Sequence, residues 1–523
     1  MASANFDFWT YAANSFAAHF DSIMSQLIAI SQTPAPNQSG DVGAVWSAEL
    51  RAASRAHIAA QKQNERALQR PTFALYTLGC KVNQYDSHQI ARMLSAQGFR
   101  RVPFREVADL YVIDTCTVTA EADKKSRKAA ARARRKNPDA VVAVTGCAAT
   151  KDAAQFEKAA PGALVLSNAQ KFELPTRALE RLGNIESWAR NYAELRAQTG
   201  SEPVPSPTRE RAVLKIQDGC DHRCSYCIIP RVRGASVIKS RELLMQEARA
   251  FVAEGARELV ITGVSMGDFA QRNAAPREDR NAPLNDLMRA VSSIEGLERV
   301  RTSSLDPADV DENWLQAVAR TPKVMPHIHL ALQSGSTSTL RRMRRRYSRE
   351  TYLKWAQRWR EIAPDAGLTT DVIVGFPGET EAEWRETMET CRAARFSAIH
   401  VFPYSPREGT WAAENLAALG GLVSPEVQKA RVAELIELGE QLSAEFAARF
   451  VGQSEEILVE GNSGARAMGL TPSYLRAEIE LDGREVCVGD LLKFRVEKWE
   501  NGALWGKQFH AETQREREAE KRD

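Results

Sequence analysis

The chain has 523 residues, of which 43% are hydrophobic and 26% charged, and it carries a formal net charge of +3 at pH 7. These proportions exclude a fibrous or wholly disordered protein, and the length exceeds what one ordinary core serves, so about three domains are expected. With the charges so nearly balanced, attraction to an anionic partner has to come from local clusters.

Residues 1–70 are rich in Ala, Ser, Gln and Asn, contain Pro34-Ala35-Pro36, and show no periodicity that would build a core, so they read as a poorly ordered extension. The start lacks the positive segment of a secretory signal. The apolar stretch at residues 23–30 is broken by Ser25 and Gln26 and is too short to span a bilayer. A cytoplasmic location with no membrane association is therefore expected. In that reducing setting the eight cysteines are more plausible as metal or cluster ligands than as disulfides.

From Thr72 onward strands and helices alternate. Residues 73–76, 110–113 and 140–144 read as strands, and each runs into a cysteine: Gly79-Cys80, Asp114-Thr115-Cys116 and Thr145-Gly146-Cys147. A βα alternation implies a parallel sheet, whose strand ends share one crevice, so these three cysteines could meet in space. Three unrelated buried thiols would be the alternative. Residues 71–190 are assigned to this domain.

A second series, in a domain of residues 206–445, offers six strands near residues 213–216, 259–262, 300–303, 327–332, 370–374 and 399–402, with helices such as 241–253, 350–362 and 381–394 between them. This pattern suggests an open or closed parallel (β/α)6 barrel with its chemistry at the carboxyl ends of the strands. After a helical stretch at residues 425–450, β-like runs at 456–460, 475–481 and 491–496 suggest a small β-barrel within residues 451–512, followed by a charged tail at 513–523.

Cys220-Asp221-His222-Arg223-Cys224-Ser225-Tyr226-Cys227 places three thiols on one loop after the first barrel strand. Three thiolates can hold three irons of a [4Fe–4S] cube and leave the fourth open to a chelating ligand such as S-adenosylmethionine (SAM). A structural zinc knot is the alternative, but it needs a fourth ligand, and His222 lies inside the loop instead of at finger spacing. Cys391 and Cys487 lack such a setting and read as packing residues.

Two basic stretches stand out. Lys124, Lys128, Arg132 and Lys136 recur every four residues, and Arg341 and Arg345 belong to a run of arginines after the fourth barrel strand. Both are candidates for phosphate contact, with solvated helix faces as the plain alternative.

The cysteine loop with Ile228-Ile229-Pro230, Arg233-Gly234 and Ser240-Arg241 resembles the radical-SAM methylthiotransferases. The resemblance extends over about residues 72–510, through Thr77-Leu78-Gly79-Cys80-Lys81-Val82-Asn83-Gln84-Tyr85-Asp86-Ser87, Asp114–Thr119, Val144–Ala148, His329–Ser336, Asp371–Thr380 and His400–Ser405. It implies an α/β architecture with three parts: a flavodoxin-like parallel-sheet amino-terminal domain, a radical-SAM (β/α)6 partial barrel and a small carboxyl-terminal β-barrel of the RNA-binding TRAM type.

It further implies two [4Fe–4S] clusters. Cys220, Cys224 and Cys227 would bind the SAM-cleaving one, and Cys80, Cys116 and Cys147 an auxiliary one that is methylated on sulfur and donates the methylthio group. Tyr226, Gln333, Ser334, Gly375 and Gly378 would contact SAM, the glycines by letting backbone approach the ligand closely. The implied partners are a tRNA anticodon stem-loop, an electron donor of flavodoxin or ferredoxin type and a sulfur source. Three substrate branches compete: threonylcarbamoyladenosine tRNA, isopentenyladenosine tRNA and an aspartate of a ribosomal protein. The wording Gly79-Cys80-Lys81-Val82-Asn83-Gln84, Thr262–Gly267 and Arg345-Arg346-Tyr347 looks most like the threonylcarbamoyl branch. A noncatalytic RNA-binding iron–sulfur protein is the reading from another class.

Overall fold

Strand β1 (Thr72–Thr77) starts a five-stranded sheet with β2 (Arg100–Val102), β3 (Leu110–Thr115), β4 (Val141–Gly146) and β5 (Leu164–Val165). The order is β2-β1-β3-β4-β5 with every pairing parallel, which is the flavodoxin-like winding expected from the sequence. Both faces of the sheet are covered. Ala74, Tyr111, Ile113, Val142 and Val144 pack on Ala129, Ala130 and Ala133 of the helix Ala120–Lys136. Phe73, Leu110, Val112 and Ala143 pack on Ile90 and Leu94 of the helix Lys81–Ala96, with Leu174 and Ala178 beside them. A central strand buried on both faces has no polar alternation, which is why β3, Leu-Tyr-Val-Ile-Asp-Thr, is buried at every position.

The computed structural model describes residues 71–183, 210–272, 280–481, 483 and 485–508. The expectations for residues 1–70 and the charged tail lie outside them.

The second domain is built from β6 (Arg211–Lys215), the short hairpin β7 (Gln217–Asp218) and β8 (Val237–Ile238), then β9 (Glu258–Thr262), β10 (Arg299–Thr302), β11 (Ser304–Leu305), β12 (His327–Leu330), β13 (Gly367–Val374) and β14 (Ala398–Pro403). Pairing runs β10-β9-β6 and β11-β12-β13-β14, all parallel. Only Ser303 separates β10 from β11, so six parallel steps follow in chain order with β6 and β14 at the free edges. This is the partial (β/α)6 barrel. Its outward residues, among them Leu214, Leu259, Ile261, Ile328, Leu368 and Val372, make the main core with the helices. The alternate residues, Lys215, Glu258, Arg301, His327, His329, Thr369 and Asp371, are polar. The helix Lys81–Ala96 covers the β6 edge, with Tyr85 in the barrel's core cluster. The helix Pro425–Ala448 covers β14, where a Cβ on Gly439 would stand 3.5 Å from Ile399. Among the described residues no helix is long and apolar enough to cross a membrane.

The last domain is a closed five-stranded barrel, β15 (Ser454–Asn462), β16 (Arg466–Leu470), β17 (Arg476–Glu480), β18 (Leu491–Glu500) and β19 (Ala503–Gln508), in the order β15-β16-β17-β19-β18. Two of these strands were not legible in the sequence. Arg466–Leu470 and Ala503–Gln508 each hold a glycine, normally a weak strand residue. Here glycine is required, because a Cβ at Gly469 would lie 2.1 Å from the Leu458 carbonyl oxygen and one at Gly506 1.9 Å from that of Arg495. Two buried arginines of β10 join this barrel to the floor of the larger one. Arg299 donates to the Leu470 carbonyl at 2.9 Å, and Arg301 to the Thr471 and Pro472 carbonyls at 2.7 and 2.9 Å.

Candidate cluster-binding site

The three amino-terminal cysteines stand at the carboxyl ends of β1, β3 and β4. Asn83 draws the first two loops together, its Nδ2 donating to the Leu78 and Thr115 carbonyls at 2.9 Å each and to Asp114 Oδ1 at 3.2 Å. Thr115 Oγ1 binds the third, donating to the Thr145 carbonyl at 2.6 Å and accepting from the Ala148 and Ala149 amides at 3.1 Å. The glycine before each outer cysteine is obligatory. At Gly79 (φ 105°) a Cβ would stand 3.1 Å from Cys116 Sγ, and at Gly146 (φ 98°) 2.5 Å from Asp114 Oδ1 and the Thr115 carbonyl. Burial, together with nearby Cys147 and Cys80, pushes the Cys116 thiol up to about 12. Burial also raises Cys147, against the opposing pull of Arg233 and of Asn168, whose Nδ2 donates to Cys147 Sγ at 3.5 Å.

Cys220, Cys224 and Cys227 lie on the loop between β7 and the helix Ile229–Arg233. Burial pushes Cys220 up to about 11 and Cys227 to about 12, with Cys224 adding to both. The His222 ring points to Asp268 at 3.4 Å and Asp306 at 3.9 Å, so it is not placed as a fourth ligand beside the thiols. Each triad is a set of soft sulfur donors, and the raised thiols of Cys116, Cys147, Cys220 and Cys227 would stay protonated without a compensating cation. That donor chemistry fits an iron–sulfur cluster, whose iron displaces the protons.

The segments that bear the two triads pack together. Cys147 packs against Ile228 and Val232, immediately after Cys227. Arg233, almost fully buried, bonds Asp218 at 2.8 Å and Asp86 at 3.3 Å, donates to Asn83 Oδ1, and is drawn by Cys147 and Cys80. Lys171 joins Asp86 at 2.6 Å and Asp218 at 3.3 Å, and Lys215 holds the same two carboxylates. Burial alone would raise Asp218, but Arg233, Lys215 and Lys171 hold it well below the carboxylate range. Asp114 has no such surplus of cations, and burial with the nearby Asp86 raises it to about 7.

The expected SAM residues separate. Tyr226 packs on Met343, Phe376 and Tyr404 beside the cysteine loop, and Gln333 (φ 60°) bridges β12 and β13. Ser334 is fully buried with its hydroxyl 3.3 Å from Thr387 Oγ1, so it braces the turn. The demand for glycine at 375 (φ 75°) and 378 (φ 72°) also comes from the protein itself, since a Cβ would stand 2.8 Å from Gln428 Nε2 and 1.8 Å from the Leu419 carbonyl.

The basic residues divide too. Lys124, Lys128 and Arg132 are exposed along the outer face of their helix and Lys136 is half-buried at its end, while Ser126, Ala129, Ala130 and Ala133 face inward. Arg341 is exposed. Arg345 differs from the expectation of phosphate contact: its Nη1 donates to Cys224 Sγ at 3.3 Å and its Nη2 meets Asp306 at 3.0 Å. Cys391 is core as expected, whereas Cys487 is exposed on the turn before β18, where Asp490 caps its amide at 2.8 Å. Sequence reasoning passed over Arg233, Asn168 and a cluster inside the barrel, where His329, Asp371 and His400 offer ligand atoms within 4.8 Å of one another. Their alternate-residue placement on neighbouring strands was the available signal.

Two family models match the chain: Uncharacterized protein family UPF0004 over residues 72–167 and the Radical SAM superfamily over residues 214–391. The chain is 36% identical over 444 residues to the threonylcarbamoyladenosine tRNA methylthiotransferase MtaB of Bacillus subtilis, covering 82% of this chain and 94% of that one. It is 37% identical over 404 residues to the tRNA-2-methylthio-N6-dimethylallyladenosine synthase of Thermobifida fusca, covering 76% and 79% respectively. Among solved structures, the radical S-adenosylmethionine methyltransferase TsrM of Kitasatospora setae matches with a TM-score of 0.45 at 15% identity, over 66% of this chain and 77% of that one.

Proposed function

Since this chain belongs to the radical-SAM methylthiotransferases, enzymes that use SAM and two [4Fe–4S] clusters, we propose that it converts N6-threonylcarbamoyladenosine at position 37 of tRNA into its 2-methylthio derivative. Two SAM are used per turnover, one as methyl donor and one as radical source. The observation that carries this reading is the packing together of the segments that bear two separate cysteine triads, with Cys147 against Ile228 and Arg233 bonded to both Asn83 and Asp218. One radical-generating site alone would not need the second triad.

In this reading Cys220, Cys224 and Cys227 hold the SAM-cleaving cluster, and Cys80, Cys116 and Cys147 hold the auxiliary one. When bound, these groups supply the radical that opens C2 of the adenine and the methylthio group that replaces its hydrogen. The chain's own residues position them: Arg345 sets charge at Cys224, Asn168 and Arg233 set it at Cys147, and Tyr226 with Gln333 borders the SAM side. The exposed Lys124, Lys128 and Arg132 and the carboxyl-terminal barrel provide the surface for a tRNA backbone.

The fuller overlap with the threonylcarbamoyladenosine relative favours that substrate. The dimethylallyladenosine reading stands second because a relative of that name matches at 37% identity against 36%, though over less of each chain. Anaerobic reaction of the reconstituted protein with tRNA bearing each modified adenosine, followed by nucleoside mass spectrometry, separates them. Methylthiolation of the threonylcarbamoyl nucleoside is expected, and exclusive conversion of the dimethylallyl one would overturn the assignment.

A further inference from the structure

The cations turned into the crevice between the amino-terminal domain and the barrel are matched by acids. Lys171, Lys215 and Arg233 share Asp86 and Asp218, Lys239 meets Glu247 at 2.7 Å, and Arg345 meets Asp306. Lys81 is the exception. It is half-buried at the start of its helix, next to Cys80, and no hydrogen bond or ion pair is recorded for it among the described residues. The Tyr474 ring lies near it, with the ammonium 5.9 Å from the centroid.

Lys81 borders a cleft of about 560 Å³ that runs from Gly79 and Gln84 along β6 to Val213 and Val260. Its charge is felt by His327, Asp371 and His400 inside the barrel. Burial lowers the histidines further, so His327 and His400 are neutral at physiological pH. Asp371 is held below the usual carboxylate range: burial opposes this, but its bond with His329 and the nearby Lys81 charge prevail. Tyr474, stacked on His327 at 4.4 Å, closes the floor. Around Asp371 the interior thus offers the Lys81 cation, one carboxylate and the neutral imidazoles of His327 and His400, about 10 Å below the end of β13 by the three-residue spacing from Asp371 to Val374.

We propose that Lys81 reads the carboxylate of the N6-threonylcarbamoyl group, which enters the open barrel while the purine is presented at the strand ends. The proposal rests on the substrate reading above and deepens it. A threonylcarbamoyl group carries a carboxylate for Lys81, and a hydroxyl and urea N–H groups that can donate to Asp371. A dimethylallyl group carries no polar atom and would bury the Lys81 charge unpaired, which is the situation in which polar sites discriminate most strongly. Lys81 is in this sense a specificity residue for the same reaction.

The test uses anticodon stem-loop RNAs bearing either threonylcarbamoyladenosine or its carboxylate methyl ester, with the reconstituted full chain. The wild type should prefer the free acid in kcat/KM by roughly tenfold to a hundredfold, the scale of one charge-assisted hydrogen bond. Lys81→Gln should lose that preference through slower turnover of the acid alone. Lys81→Arg should retain it, and iron content and cluster spectra should match the wild type in both. Persistence of the acid preference in Lys81→Gln, or equal loss on acid and ester, would overturn the Lys81 assignment alone. A wild type that ignores both threonylcarbamoyl RNAs and modifies the dimethylallyl one would overturn the substrate reading and this inference with it.

Discussion

Replacing Arg233 with Met, similar in length but uncharged, tests the junction of the two triads. The side chain is 1% exposed and contacts Asp86, Asp218 and Asn83. Breaking one partner out of a buried ion pair costs about 3–5 kcal/mol. Lys171 and Lys215 remain on the same two carboxylates, so the loss should be smaller, about 2–3 kcal/mol. The change is not only one of stability. Arg233 also opposes the rise of the Cys147 thiol, so ionised sulfur at Cys147 becomes harder to sustain. The Cys220 loop keeps Arg345. The expectation is a lower urea midpoint in the iron-free protein and, after reconstitution, roughly half the wild-type iron, because one of two cubes is lost. Unchanged iron with a stability change below about 0.5 kcal/mol would refute the claim that Arg233 couples the triads.

Gly146→Ala should destabilise by more than about 2 kcal/mol and deplete the auxiliary iron, read by thermal melting and iron assay, because its Cβ has no room beside Asp114 and Thr115. Ser334→Ala should lower stability by about 1 kcal/mol through its lost bond to Thr387 and leave SAM affinity unchanged by equilibrium dialysis. Neutralising Lys124, Lys128 and Arg132 together should weaken tRNA binding evenly across sequences and flatten the salt dependence of log K by about 2–3, measured by filter binding. Asp114, raised to about 7 in the fold, binds more protons folded than unfolded. Its contribution is therefore present below its unfolded value near 4 and lost as pH rises through about 7. Asp114→Asn should reduce the fall in urea midpoint of the apoprotein between pH 5 and 7.5, and an unaltered pH slope would contradict this.

Much of the fold was legible because its signals are local. Buried parallel strands such as β3 and β4 are continuous apolar runs, and the helices Arg241–Ala253 and Glu381–Ala394 begin at Ser240 and Thr380, whose side chains cap them. The cysteines were legible because each follows a strand. Partner choice was not. Arg345 sits in a run of arginines that looks like a phosphate surface, yet the turn of the chain aims it at Cys224, while Arg341 four residues earlier stays exposed. Gly375 and Gly378 look like ligand glycines, but what presses on them is Gln428 and Leu419, more than 40 residues away. Lys81 and Arg233 were visible as letters of motifs. Only the tertiary fold shows that one is matched by acids and the other is not.

The account depends most directly on the division of labour between the triads, which a comparison of Cys116→Ala with Cys224→Ala tests. Each variant is reconstituted anaerobically with its remaining cluster verified by spectroscopy, then assayed with SAM, reductant and tRNA for 5′-deoxyadenosine and methylthiolated nucleoside. Cys224→Ala should give neither product, and Cys116→Ala should still cleave SAM but form no methylthiolated nucleoside. Equal loss of SAM cleavage in both variants, with the second cluster intact in each, would contradict separate roles.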